Sequence, residues 1–118
     1  MSFFKSYYLK AVQNMEPTFK VAEDSDADLL VEFMRELYAF DQDPFDDRRA
    51  RAALEGLLKD ASLGRVWLIH EGDRAVGYVA ITFGYSLEYG GPLAVIDELY
   101  LRAGHRGQGL GPRALKFV

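Results

Sequence analysis

Four glycines fall within eight residues in Gly104-His105-Arg106-Gly107-Gln108-Gly109-Leu110-Gly111. Glycine adopts positive φ and lets a backbone come close to a ligand. A helix N-terminus, expected here from Pro112 onward, adds unpaired N–H groups and a partial positive charge. The combination suits a phosphate group, and Arg106 adds a fixed cation. Two common phosphate motifs do not fit. A P-loop spacing from Gly104 to Gly109 needs lysine where Leu110 stands, and a dinucleotide fingerprint on Gly107 and Gly109 needs glycine where Pro112 stands. Just upstream, Asp97 and Glu98 are adjacent acids inside an apolar run. On a regular strand such neighbours point to opposite faces, so one of them should face a cleft and the other the far side. The sequence has no cysteine. That excludes a disulfide framework, a thiolate metal site and a thiol nucleophile. His70 and His105 have no metal-ligand spacing.

These residues need elements to hold them. Thr18 to Ala22 is a short strand candidate. Ser25, with Asp28 three positions on, predicts a capping box for a first helix. Leu30, Phe33, Met34, Leu37 and Tyr38 recur at three- and four-residue spacing and carry that helix to about Phe40. Asp41-Gln42-Asp43-Pro44 stops it. Asp46 or Asp47 can cap a second helix with Ala50, Ala53, Leu54, Leu57 and Leu58 as its apolar stripe, and Gly64 closes that region. Val66 to Ile69 reads as a strand, Gly72-Asp73 as a hairpin turn, and Val76 to Tyr85 as a long strand. Gly77 and Gly84 leave room there for a bend or bulge. Gly90-Gly91-Pro92 breaks the chain before a third long strand, Leu93 to Leu101. Residues 1–17 form an aromatic N-terminal extension. Its Phe4, Tyr8 and Val12 spacing fits a helix and its Phe and Tyr content a strand.

The 118 residues are 49% hydrophobic and 27% charged, the proportions of a globular chain. The length suits one core. A formal net charge of −4 argues against sequence-independent nucleic-acid binding, which needs a basic face, and favours a cationic or neutral partner. No apolar run approaches the roughly 20 residues needed to cross a bilayer. Lys5 and Lys10 interrupt the N-terminus, and no small-residue cleavage site follows. A soluble, cytoplasmic protein that uses no membrane and no nucleic acid is expected.

The segment Arg106-Gly107-Gln108-Gly109-Leu110-Gly111 resembles the acetyl-CoA-binding pattern Arg/Gln-x-x-Gly-x-Gly/Ala of the GNAT superfamily of N-acetyltransferases. Val95-Ile96-Asp97-Glu98-Leu99-Tyr100-Leu101 is similar to that family's fourth strand. Phe83 to Gly91 resembles the third-strand end and loop of its members that acetylate small amines. The resemblance covers about residues 18–118. It implies an α/β (α+β) fold with a mixed, mostly antiparallel sheet flanked by helices. It also implies a C-terminally short chain, lacking the family's last helix and strands. By the same resemblance the backbone of Leu99, Tyr100 and Leu101 would hold the pantetheine arm of acetyl-CoA. The amides of Gly107, Gln108, Gly109, Leu110 and Gly111, with Arg106, would hold its pyrophosphate.

The implied reaction is direct attack of a primary amine on the thioester, with no covalent enzyme intermediate and no metal. The amine must lose a proton, the carbonyl must be polarised and the thiolate benefits from an acid. Glu98 is the expected base, directly or through water; otherwise it orients substrate or pairs with Arg102 or Arg106. Asp97, Tyr85 and Asp43 are expected at the acceptor. The acidic link Phe40 to Asp47 would either attract a cationic amine or merely cap helices. A small amine substrate and a homodimer are the expected partners. The other reading is a catalytically incomplete module that binds acyl-CoA or dimerises.

Overall fold

A computed structural model of the chain describes residues 17–102 and residue 104. The aromatic segment 3–12, His105, the Arg106–Gly111 motif and the helix expected from Pro112 lie outside the described residues. The elements run β1 (Pro17–Val21), a 3-10 turn (Asp24–Asp26), α1 (Ala27–Phe40), α2 (Asp47–Lys59), β2 (Gly64–Glu71), β3 (Arg74–Ser86) and β4 (Gly91–Leu101). The described strands form one sheet in the order β1-β2-β3-β4, and each pairing is antiparallel. No described helix is long and apolar enough to cross a membrane.

The start of α2 follows from a short acidic side chain that satisfies a first-turn N–H group, and the start of α1 from the capped 3-10 turn before it. Asp46 caps α2 by accepting from the Arg49 N–H at 3.2 Å. At α1 the pairing falls on Glu23 and Asp26, the Glu23 N–H donating to Asp26 at 2.9 Å, instead of on Ser25 and Asp28. The reason is the 3-10 turn, which takes up Asp24–Asp26 before the α-helix begins at Ala27. Gly64 opens β2 and does not close a helical region.

The alternating strands bury two different faces. Val66, Leu68, Tyr78, Ala80 and Tyr100 pack under Leu30, Val31, Phe33 and Met34 of α1 and Leu54 of α2. Ile69, Val76 and Leu101, with Trp67, Val79 and Ile81, form the other face beside Phe19 and Leu99. Two register shifts interrupt the ladder. Ile69 faces Gly77 while His70 faces Ala75, so Val76 is surplus on β3. Ala80 faces Glu98 while Ile81 faces Ile96, so Asp97 is surplus on β4. Gly77 adjoins the first shift, and a Cβ there would lie 2.0 Å from the Tyr100 carbonyl oxygen. Gly84 sits in regular register opposite Leu93.

Candidate active site

The bulge on β4 decides where the adjacent acids go. Because Asp97 has no residue of its own on β3, the alternation of a regular strand fails at this point. Asp97 and Glu98 consequently both line one cleft of about 960 Å³ between the sheet and the two helices. This corrects the expectation that the pair would divide between two faces. Tyr38 and Met34 of α1, Phe45 and Asp46 of the link, Arg49, Ala53 and Leu57 of α2, and Tyr78 and Phe83 of β3 complete its walls.

Glu98 is held from two sides. Tyr38 donates its hydroxyl to Oε2 at 2.9 Å, and Tyr78 donates to Oε1 at 2.8 Å. Tyr78 is 2% exposed. Burial, followed by the negative charge of Glu98, pushes its phenol well above the ordinary tyrosine range. Tyr38 is pushed up to about 12, first by its hydrogen bond to Glu98 and then by burial. Both phenols therefore remain protonated donors across neutral pH. Phe45 meets the Tyr38 ring edge-on at 5.3 Å and braces it from the link.

Arg102 does not pair with Glu98. Its guanidinium donates to Glu36 at 3.1 and 2.9 Å and to Glu32 at 3.2 Å, while the Tyr100 hydroxyl donates to Glu36 at 2.8 Å. It also lies over the Phe33 ring, 4.6 Å from the centroid. This second cluster ties the C-terminal end of β4 to α1. None of the ion pairs among the described residues includes Glu98.

The acidic link is mostly engaged in structure. Asp46 caps α2, Asp47 pairs with Arg35, and the Asp43 N–H donates to the Tyr38 carbonyl at 2.8 Å. Asp43 and Asp41 do not line the cleft. Asp43 is nevertheless near enough for its charge to raise the Tyr38 pKa slightly. Tyr85 is 72% exposed near the tip of the β3–β4 hairpin and is not a cleft residue. Leu99 is half-buried, and Tyr100 and Leu101 are buried along the last turn of the ladder with β3. Among the described residues, no group of histidine, aspartate and glutamate is arranged to hold a metal ion.

Sequence pattern does not mark Tyr38 or Tyr78 as a site residue. Tyr38 sits on the apolar stripe of a helix and Tyr78 in the middle of an apolar strand, so both read as core. The available signal was the hydroxyl itself, because a buried tyrosine normally finds a partner for it.

Comparisons with known proteins agree with this architecture. An integron cassette protein, HFX_CASS3, from the mobile metagenome of Cole Harbour Salt Marsh is 38% identical over 84% of this chain, with a TM-score of 0.79. This chain spans 65% of that protein's length. A possible acetyltransferase from Clostridium difficile 630 has a TM-score of 0.76 at 19% identity, covering 86% of this chain and 67% of its own. A predicted acetyltransferase with acetyl-CoA from Clostridium acetobutylicum has a TM-score of 0.71 at 21% identity, covering 86% and 70%. No curated protein matches the sequence. The family model of the acetyltransferase (GNAT) family matches residues 27–118, from the start of α1 through the bulge, the glycine motif and the end of the chain, and the protein belongs to that family.

Proposed function

We propose that the protein transfers an acetyl group from acetyl-CoA to a primary amine, and that residues 18–118 are the unit that does so. The observation that carries this reading is the Glu98 carboxylate, fixed by two phenols beside the bulge of β4 and lining an open cleft. The thioester supplies the acetyl group when acetyl-CoA is bound. Glu98, directly or through one water, takes the proton that the ammonium must lose before its nitrogen attacks. The N–C bond then forms, the C–S bond breaks, and the thiolate leaves to be protonated. Two hydrogen bonds to one carboxylate hold it in a single orientation, which is what proton transfer at a defined atom requires. Asp97 adds negative charge beside Glu98 and attracts the cationic form of the amine. Asp43 contributes to that field from the link, whereas Tyr85, off the cleft, is given no part in this reading.

The cofactor residues proposed from the family resemblance are the backbone of Leu99, Tyr100 and Leu101 and the motif Arg106, Gly107, Gln108, Gly109, Leu110 and Gly111. The test combines a thermal melt with a thiol-release assay. Acetyl-CoA at about 100 times its Kd should stabilise the fold by about 2.7 kcal/mol. Thiol release on adding an amine completes the result. Stabilisation without release would assign binding without transfer, and the absence of both would overturn the reading.

A further inference from the structure

Charge and apolar surface occupy different parts of the cleft, and this division bears on the acceptor, granted the acetyl-transfer reading. Asp97, Glu98 and the Tyr38 hydroxyl are grouped at the β4 bulge. Leu57, Leu63 and Phe83 line the cleft with aliphatic and aromatic carbon. Leu63 and Phe83 are 51% and 49% exposed, and the Phe83 N–H donates to the Leu63 carbonyl at 2.9 Å. Two large apolar residues are thus tied together where they remain partly in water. Covering their carbon is favourable for any ligand with apolar surface of its own.

Among the described residues the cleft has one further carboxylate, Asp46, which stands at the start of α2 with Arg49 on the same wall. Asp46 is committed to the α2 cap, Asp47 to Arg35, and Asp41 and Asp43 lie off the wall. Arg49 places a positive charge on the helix side. A second or third ammonium would sit against Leu57, Leu63 or Phe83, or would share Asp46 with the Arg49 cation. The more of its hydration an ammonium gives up to cover that carbon, the greater its uncompensated cost. One ammonium beside Asp97 and Glu98, followed by an apolar group, meets no such cost.

We infer that the cleft selects an amine with a single positive charge and an apolar, ring-sized body, and that it disfavours polyamines. The full-length chain is assayed for thiol release with acetyl-CoA and either 2-phenylethylamine or spermidine, and each amine is titrated separately by calorimetry. The kcat/KM for 2-phenylethylamine should exceed that for spermidine by about tenfold or more, in line with what apolar pocket contacts discriminate. Leu63→Asp, at a half-exposed position, should shrink that ratio several-fold; an unchanged ratio would remove the apolar body from this wall. Spermidine turned over as well as 2-phenylethylamine overturns the inference and leaves acetyl transfer standing. Selective binding of 2-phenylethylamine with no thiol release supports the inference and removes the transfer. No binding and no release with either amine overturns both.

Discussion

Two carboxylates meet tyrosines on the same side of the sheet, and they differ in one respect. Glu36 accepts from the Tyr100 hydroxyl and from the Arg102 guanidinium. Glu98 accepts from two hydroxyls, and no cation among the described residues pairs with it. In the first cluster Arg102 meets the charge of Glu36 within the fold and ties α1 to the end of β4. The second is oriented just as firmly but keeps its negative charge available to the cleft. A tyrosine–carboxylate pair is therefore no guide to function by itself; the two differ in the cation, present beside Glu36 and, among the described residues, absent beside Glu98.

The sharpest way to test that distinction is Glu98→Gln. The amide retains the shape but not the basicity, and kcat/KM for acetyl transfer should fall by roughly a hundred- to ten-thousand-fold. Acetyl-CoA stabilisation in the same variant should persist. A Glu36→Gln variant with an equal loss of turnover would erase the contrast between the clusters.

Phe33 supports both clusters at once. It is fully buried, stacks with Tyr78 at 6.2 Å, meets Tyr100 at 6.1 Å and lies under Arg102. Phe33→Ala should cost about 3–5 kcal/mol in chemical denaturation, the usual range for removing a core aromatic ring. A smaller loss would mean that the two clusters hold themselves in place without the ring between them.

Arg102→Gln probes the brace alone. Its partners Glu36 and Glu32 are partly exposed, so solvent screens the pairs. A loss of about 1 kcal/mol is expected by denaturant titration. The pH profile of turnover should not move, because Arg102 does not touch Glu98.

The smallest effect concerns Tyr38 and appears only in alkali. Its folded pKa, about 12, exceeds its ordinary value of 10.0. Its contribution to stability is intact below pH 10. It declines between pH 10 and 12, where the unfolded phenol ionises and the folded one does not. Denaturation midpoints should therefore fall more steeply over that window for the parent chain than for Tyr38→Phe. Parallel curves would show that the Tyr38–Glu98 bond does not persist in solution.

Much of the frame is legible from local pattern. The three- and four-residue spacing from Leu30 to Tyr38 marks α1, Asp46 marks the start of α2, and the glycine breaks mark the hairpins. Glu98 could be singled out only through family resemblance, since an acid in an apolar strand has several uses. The tyrosines that hold it are hidden in the sequence because each fits its own element's apolar stripe. They lie 60 and 20 residues from Glu98 along the chain. The surplus residue at Asp97 is hidden for a related reason: the glycines mark Gly77, which does adjoin a register shift, and Gly84, which does not, whereas a bulge belongs to the pairing of two strands and not to either strand alone.

The residues themselves determined the helices and strands and where the chain turns, because these follow from side-chain periodicity, capping and backbone freedom over a few positions. Tertiary structure decided that Asp97 and Glu98 share one cleft, that Tyr38 and Tyr78 converge on Glu98, and that Arg102 turns to Glu36. Those outcomes depend on strand register and on helix-to-sheet packing between segments distant in sequence. There the competition among burial, charge pairing and hydrogen bonding is settled by the whole fold.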